Sequence, residues 1–384
     1  MKESQRTCYL DNASTSYPKP ESVVAAVNNS ITSVVGGYNR SSNYKSVSAN
    51  FVDEARLKMA RLINCEEAEI YFNSGATESI NQIIMGLLKT GDHVITSPWE
   101  HNAVTRPLNQ LKNEKNVKIS VCTATLNSGF DYRQIETMIT KETRLVIVNH
   151  VSNVLGLVAP IEEIGLMVAK YPNVAFAVDA SQSIGCSPIN VKRSKIDFLA
   201  FPGHKALRGP NGIGGFFLSN RLKDSITPIK FGGTGVSSHE QVVVDRGAHK
   251  FEVGTPNTMG LSGLNAALDL VGKFDLTVVE KEIRKLTSDL VHRLSKMDHV
   301  ITYLPRSSIP QGLVTINVPP LSPKDLSSIL YDEFGIITRD GLHCSINAHK
   351  IAGTYPEGSV RISIGKTTTE EDIDYLCSCL ELIK

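Results

Sequence analysis

Short apolar segments alternate with amphipathic segments over the first two thirds of the chain. The apolar segments have the length and content of buried strands, and each ends in Gly, Pro or small polar residues. The predicted strands are Ile70–Asn73, His93–Thr96, Val117–Cys122, Arg144–Asn149, Val174–Val178, Ile196–Phe201 and Ile213–Leu218. Helices predicted between them include Glu78–Lys89, Tyr132–Thr140 and Ile161–Tyr171. This alternation predicts an α/β fold, with a mostly parallel sheet covered by helices on both faces.

The pattern changes after about residue 260, where longer helices replace the regular alternation. The predicted helices there are Leu261–Phe274, Leu276–Met297, Pro323–Phe334 and Thr369–Leu382. Short strands are predicted around Gly312–Val318 and Gly335–Thr338, and the irregular Leu10–Pro20 segment is expected to pack near them. We therefore predict a large domain over residues 15–270 and a smaller α+β domain over residues 1–14 and 271–384.

Small and polar residues follow five of the predicted strands. In open α/β sheets, ligands bind beyond the carboxyl ends of the strands, so these segments are the ones to inspect. They read NSGATES (73–79), SPWEHNAV (97–104), NHVSNVLG (149–156), VDASQS (178–183) and FPGHK (201–205). We expect them to meet at one edge of the sheet.

Four features of these segments combine into one chemistry. The small residues of NSGATES precede a helix, and a helix N-terminus favours an anion. Asp179 ends an apolar strand and needs a partner, His101 follows another strand, and Lys205 lies in a tight loop. Each has an ordinary alternative: helix capping for the small residues of NSGATES and for Asp179, a hydrogen-bonded or exposed ring for His101, and solvent exposure for Lys205. Together they fit pyridoxal phosphate, whose aldehyde takes a lysine and whose ring nitrogen takes an acid.

Composition narrows the functional classes. The 384 residues carry a formal net charge of +1 and no long run of one sign, so no nucleic-acid or membrane partner is expected. No G-x-G-x-x-G or Walker A motif occurs, which argues against a dinucleotide or nucleoside triphosphate. The seven scattered cysteines and the absence of a signal-like segment predict a reducing, cytoplasmic location. Cys377 and Cys379 have no second pair nearby, so we expect no metal site.

Ordered motifs along nearly the whole chain resemble those of a known family. They are YLDNASTSYPKP (9–20), SGATESIN (74–81), EHNAV (100–104), HVSNVLG (150–156), VDASQS (178–183), GHK (203–205), GTPNT (254–258), TRDGLHC (338–344) and VRISIG (360–365). The chain resembles the cysteine desulfurases of the class V aminotransferase group, which are fold type I pyridoxal-phosphate enzymes. Within that group it is most similar to the Suf-type branch and its cysteine desulfurase/selenocysteine lyase relatives.

The resemblance implies a role for each residue around the cofactor ring. Lys205 would hold pyridoxal phosphate through a Schiff base and later move the Cα proton. Asp179 would pair with the pyridinium nitrogen, and Gln182 would hydrogen-bond the ring hydroxyl. His101 would stack on the ring and assist proton transfer.

The resemblance also implies a phosphate site shared between two subunits. Ala76, Thr77 and His204 would bind the phosphate within one subunit. Thr255 would reach the phosphate of the neighbouring subunit, so a homodimer is expected.

The substrate side of the site follows from the same resemblance. Asn153 and Arg361 would hold the substrate carboxylate, with Arg339 nearby, because the planar guanidinium forms two parallel bonds. Cys344 would be the nucleophile, and the adjacent cations, His343 and Arg339 among them, would favour its thiolate. The short spacing from Arg339 to Cys344 resembles the Suf-type branch, since the other branch carries its cysteine on a longer flexible loop.

Three positions depart from the family pattern. Pro202 stands where a phosphate-binding Ser or Thr is usual, and it has neither hydroxyl nor N–H. No histidine occurs near Asn43, where relatives tend to carry one, and Lys250 replaces an arginine. Lys205, Asp179 and Cys344 are not among the positions that depart from the family pattern.

The resemblance implies a desulfurase that converts L-cysteine to L-alanine and places the sulfur on Cys344 as a persulfide. A sulfur-acceptor protein, for iron–sulfur clusters or thiolated metabolites, is the expected partner. The alternatives are a selenocysteine lyase, or a C–S β-lyase that releases pyruvate and ammonia. A sulfur-relay protein without turnover is the alternative from another class.

Overall fold

The computed structural model describes residues 7–33, 47–235, 247–305 and 308–383, so Asn43 lies outside the described residues. The strands are β1 (Cys8–Tyr9), β2 (Ile70–Asn73), β3 (His93–Thr96), β4 (Lys118–Val121), β5 (Ala124–Thr125), β6 (Gly129–Phe130), β7 (Thr143–Asn149), β8 (Ala175–Asp179), β9 (Phe198–Pro202), β10 (Gly214–Leu218), β11 (Ile301–Thr302), β12 (Leu313–Asn317), β13 (Ile336–Ile337), β14 (Arg339–Gly341) and β15 (Ser359–Ser363). The helices are α1 (Glu21–Ser33), α2 (Val47–Ile63), α3 (Ala76–Leu87), α4 (Asn102–Lys115), α5 (Arg133–Met138), α6 (Ile161–Val168), α7 (Thr258–Val271), α8 (Leu276–Leu294), α9 (Pro323–Phe334), α10 (Ile346–Ala352) and α11 (Glu370–Leu382).

A seven-stranded sheet forms the centre of the molecule, in the order β2-β10-β9-β8-β7-β3-β4. Strand β10 runs antiparallel to both of its neighbours, and the other neighbouring pairs are parallel. The prediction of a mostly parallel seven-stranded sheet is therefore confirmed. All seven predicted strands are present, and no end differs from its prediction by more than two residues.

Helices cover both faces of this sheet because its strands are apolar on both sides. In β7, Leu145 and Ile147 face the cluster that includes α3 and α4. Val146 and Val148 face the opposite cluster, which includes α2, α6 and α7. Successive side chains of a strand point to opposite faces, so a nearly continuous apolar strand is buried between two helical layers.

A four-stranded antiparallel sheet, β11-β12-β15-β14, packs with α8, α9 and α11 in a second core. The short strand predicted around Gly335–Thr338 is confirmed by β13, and a second short strand, β14, follows it directly. Gly335 ends α9 at φ 65°, after which β13 pairs in parallel with β1, and β14 pairs separately with β15. The N-terminal segment packs here as expected, since Leu10 N donates to Ile337 O at 2.9 Å.

The division of the chain into a large and a small domain, at residues 14/15 and 270/271, stays a prediction.

Within the described part of the chain, no helix has both the length and the apolar character that a membrane crossing requires.

Strand β10 passes unusually close to the loop that begins α3. A Cβ on Gly214 would lie 2.5 Å from Phe201 O and 2.7 Å from Gly75 Cα. Only glycine at position 214 allows this approach without a shift of the backbone.

We expect Gly214→Ala to lower the free energy of unfolding by about 1–3 kcal/mol, because the added methyl overpacks the contact between β10 and this loop. The midpoint of urea denaturation measures the loss. Gly233→Ala is the control, since its added Cβ meets no atom within 4 Å. Equal midpoints for the two variants would contradict the prediction.

Candidate active site

Lys205 lies in a tight loop just after β9, where Arg208 N donates to Lys205 O at 2.8 Å. Its half-buried side chain lines a cavity of about 220 Å³ at the carboxyl edge of the large sheet. Burial lowers the pKa of Lys205 to about 8; Arg361 and Arg339 lower it too, while Asp179 acts in the opposite direction. A lysine of this kind is partly neutral at pH 7 and can act as a nucleophile. The alternative of a fully solvated loop lysine is therefore wrong.

Asp179 is the last residue of β8 and is only 2 % exposed. Its Oδ1 accepts a hydrogen bond from Ser181 N at 2.9 Å, and the residue lines the same cavity as Lys205. This bond closes a local turn, not the helix cap that the alternative assumed, and the pairing of Asp179 with a cofactor nitrogen stays a prediction. The carboxylate is fixed by the next turn of the chain while it stands next to the cavity.

The start of α3 forms another wall of this cavity. Ala76 and Thr77 are its first residues, and the first N–H groups of a helix have no acceptor within it. Ser74 N and Oγ donate to Glu78 Oε2, at 3.2 and 2.5 Å. Gly75 has φ 141°, which favours glycine, and a Cβ there would meet no atom within 4 Å. Free backbone donors therefore border open space, as an anion site requires.

Two histidines line the cavity in neutral form. His101 Nδ1 accepts a hydrogen bond from Ala103 N at 3.0 Å, so its proton lies on Nε2, and burial lowers the pKa of the ring. His204 Nδ1 lies 3.1 Å from Thr15 Oγ1. Burial, together with the charge of Lys205, lowers the pKa of His204 to about 4. Both rings can contact a ligand without adding charge to the site.

Gln182 and Pro202 complete the cavity wall. Gln182 Nε2 donates to Ala13 O at 3.0 Å, which ties this side chain to the N-terminal segment. Pro202 ends β9 and offers neither a hydroxyl nor an N–H to a ligand. The departure noted in the sequence therefore lies directly at the cavity.

Arg361 lies in β15 and is 1 % exposed. Its Nη1 donates to Asn153 O at 3.0 Å, and its Nη2 donates to Asp11 Oδ1 at 2.9 Å and Ser14 Oγ at 3.0 Å. Arg339 Nη1 donates to the same Ser14 Oγ at 3.2 Å. The three residues predicted to bind the substrate are thus brought together.

Two buried polar atoms in this group lack a hydrogen-bond partner among the described residues. They are Arg361 Nε and Asn153 Oδ1, and Asn153 also lines the cavity of Lys205. Buried polar atoms are nearly always hydrogen-bonded in proteins. These two atoms are therefore suited to contact a polar ligand.

Hydrogen bonds to its main chain hold Cys344 at the carboxyl edge of the large sheet. Asn102 N, at the start of α4 beside His101, donates to Cys344 O at 2.8 Å. Asn153 Nδ2 donates to His343 O at 2.6 Å, and Ser345 Oγ donates to Trp99 O at 3.1 Å. The half-buried thiol therefore belongs to a loop that is tied to two walls of the site.

His343 does not act as a cation next to Cys344, and that part of the prediction is wrong. Its Nε2 bonds to Arg339 O at 2.9 Å, and its Nδ1 lies 3.1 Å from His349 Nε2. Burial, with Arg361 nearby, lowers the pKa of His343 to about 2. The positive charge that faces Cys344 comes instead from Arg361, which interacts with it electrostatically.

Thr255 does not line the cavity of Lys205 in its own chain. It is exposed and lines a separate cavity of about 410 Å³, which shares Ser74 and Glu78 with the first. Its predicted contact with the neighbouring subunit stays a prediction.

Four residues without a predicted role lie in or behind the site. They are Asp11, Ser14, His349 and Glu100. Asp11 and Ser14 contact Arg361, and His349 bonds to His343.

Glu100 is buried behind the site. It is 2 % exposed, and its Oε1 accepts hydrogen bonds from Asn149 N at 2.8 Å and from the Ser97 hydroxyl. Burial raises the pKa of Glu100 to about 8. Asp11, Ser14 and Glu100 stand inside recognised motifs, which was the available signal.

Comparisons with known proteins agree with this geometry. The Aminotransferase class-V family matches residues 8–376. A probable cysteine desulfurase of Pyrococcus abyssi is 34% identical, over 98% of this chain and 94% of its own length. The apo structure of a cysteine desulfurase from Thermococcus onnurineus superposes with a TM-score of 0.91 at 31% identity, covering 98% of this chain and 94% of that one.

A second structure, the cysteine desulfurase CsdA of Escherichia coli in an S-sulfonic acid form, superposes with a TM-score of 0.86. It is 28% identical and covers 98% of this chain and 94% of that one. These structures share the fold type I architecture of pyridoxal-phosphate enzymes. The chain therefore belongs to the aminotransferase class-V family, within a group of relatives that are cysteine desulfurases.

Proposed function

We propose that the protein is a pyridoxal-phosphate-dependent L-cysteine desulfurase that receives the substrate sulfur on Cys344. The observation that carries the proposal is the hydrogen bonding of the Cys344 loop to Asn153 and Asn102. Asn153 lines the cavity of Lys205, and Asn102 follows His101, which lines it too. The main chain at Cys344 is therefore bonded to one residue that lines the cavity of Lys205 and to the neighbour of another.

The residues around the cavity fit pyridoxal phosphate. Lys205 would bind its aldehyde carbon, Asp179 its ring nitrogen, and the N–H groups of Ala76 and Thr77 its phosphate. Asn149 Oδ1 is buried at this cavity without a partner among the described residues, so it too is suited to a polar ligand. When bound, the cofactor supplies an electron sink for the bonds at the substrate Cα.

The chain itself would orient the substrate and move its protons. The positive charge of Arg361 would attract the substrate carboxylate, and Lys205 Nζ would accept and return protons, as its pKa near 8 allows. Cys344 Sγ, as thiolate, would form an S–S bond with the substrate sulfur. The electron pair of the broken C–S bond would stay on Cβ, which takes up a proton and becomes the methyl group of alanine.

A homodimer and a sulfur-acceptor protein complete the proposal. Thr255 is exposed next to Gly254, so its hydroxyl is available to a second copy of the chain. The persulfide on Cys344 would pass to an acceptor that serves iron–sulfur clusters or thiolated metabolites, and a cytoplasmic location would suit that delivery.

We expect purified protein to convert L-cysteine into equal amounts of alanine and sulfide in the presence of a reducing thiol. Cys344→Ala should lower this rate by more than about tenfold, because the nucleophile is lost. Cys65→Ala is the control: it is also half-buried, and burial raises the pKa of its thiol to about 12. Its rate should match that of the wild type.

Products other than alanine and sulfide, or a different substrate, would identify one of the alternative enzymes. Pyruvate and ammonia, at a rate unaffected by Cys344→Ala, would identify a C–S β-lyase. Turnover of L-selenocysteine without turnover of L-cysteine would identify a selenocysteine lyase.

We expect Lys205→Ala to abolish the visible absorbance of bound pyridoxal phosphate, because the variant lacks the amine that binds the aldehyde. Lys89→Ala, which changes an exposed lysine, should keep that absorbance. A Lys205→Ala protein with the wild-type spectrum would contradict the cofactor assignment. Wild-type protein without any such absorbance would favour a sulfur-relay protein.

The lowered pKa of Lys205 predicts how fast the apo-protein takes up pyridoxal phosphate at each pH. Only the neutral amine attacks an aldehyde, so the rate should rise with pH up to about 8 and level off above it. Nα-acetyl-lysine is the control, and its rate should keep rising towards a pKa of about 10.4. Parallel profiles for the two amines between pH 6 and 10 would contradict the lowered pKa.

A further inference from the structure

Ser14 lies between the two arginines of the candidate substrate site. Its hydroxyl accepts from Arg361 Nη2 at 3.0 Å and from Arg339 Nη1 at 3.2 Å, and it donates to Asp11 Oδ1 at 2.8 Å. A serine hydroxyl has one donor and two acceptor positions, so its hydrogen-bonding capacity is fully used. An alanine at this position would remove all three contacts.

The two guanidiniums depend on this hydroxyl to different degrees. Arg361 is 1 % exposed and keeps Asn153 O and Asp11 as partners without it. Arg339 is half-buried, and Ser14 Oγ is the one hydrogen-bond partner of its guanidinium among the described residues. A long side chain without such a bond spreads over several rotamers, so Ser14 fixes Arg339 in particular.

The charges of this cluster match a single carboxylate. Arg339 and Arg361 contribute two positive charges and Asp11 one negative charge, which leaves a net charge of +1. Asp11 and Ser14 keep the two like charges close together, while Arg361 Nε remains buried without a partner among the described residues. An anionic ligand with one carboxylate would complete the cluster.

We propose that Ser14 is a positioning residue for the substrate carboxylate, acting by holding Arg339 and Arg361 together through one shared oxygen. This inference rests on the proposed function, because it takes the substrate to be an α-amino acid. Ser14 itself does not enter the reaction. Its removal weakens carboxylate binding and leaves the chemical step intact.

The test compares Ser14→Ala with wild-type holoenzyme in two measurements. KM for L-cysteine should rise about tenfold while kcat changes less than about threefold, the size expected for one hydrogen bond to a charged group. Titration with L-alanine, followed by the absorbance of the bound cofactor, should give a similar rise in Kd. Ser14→Thr keeps the hydroxyl and should restore both values to within about threefold of wild type.

The methyl ester of L-alanine separates carboxylate recognition from a general disturbance of the site. The ester has no anionic carboxylate, so its Kd should be the same in Ser14→Ala and wild type. Ser378→Ala, which alters an exposed serine of α11, is the control for serine removal elsewhere and should change neither Kd.

Two results would overturn the inference. One is a Kd for L-alanine in Ser14→Ala within twofold of the wild-type value. The other is a rise for the methyl ester as large as that for L-alanine, which would mean a structural role. If wild-type protein does not turn over L-cysteine, the desulfurase proposal fails separately, and the two titrations alone decide the role of Ser14.

Discussion

The buried guanidinium of Arg361 is the interaction on which the arrangement of the site depends. Removing a cation from water costs several kcal/mol unless its partners compensate for the lost hydration. Arg361 lies in the small sheet, and its partners come from two other parts of the chain: Asp11 and Ser14 before α1, and Asn153 after β7. The N-terminal segment, the large sheet and the small sheet must therefore assemble together before this charge is satisfied. Arg361 thus links the two sheets at the point where the substrate would bind.

Burial also determines which groups of the site carry charge. It lowers the pKa of four imidazoles, those of His101, His204, His343 and His349. At neutral pH these rings act as hydrogen-bonding groups, and the charged side chains are lysine, arginine and aspartate. Lys205 lines the same cavity and is a candidate proton carrier. The same burial lowers the pKa of Lys205 into the range where it can serve as one.

The large sheet and its ligand-binding edge could be predicted because each depends on local patterns. Apolar strands separated by helices determine the sheet, and the carboxyl ends of parallel strands determine where polar segments meet. Asp179 and Lys205 were found in this way. The roles of Asp11 and Ser14 could not be predicted, because their segment has no periodicity and their partners lie more than 300 positions away. The neutral state of His343 could not be predicted either, because the local sequence does not show that distant segments bury this residue.

The backbone at Cys344 shows why the position of the thiol is well defined. His343 and Cys344 have φ values of 48° and 59°, and a left-handed conformation costs a residue other than glycine about 1–2 kcal/mol. The bonds from Asn153 and Asn102 to the two carbonyl groups compensate for this cost and oppose a swing of the loop. With its main chain held in this way, we expect the thiol to move mainly by rotation of its own side chain. In the proposed reaction the substrate sulfur has to come to Cys344, and a later acceptor must reach into the site to collect it.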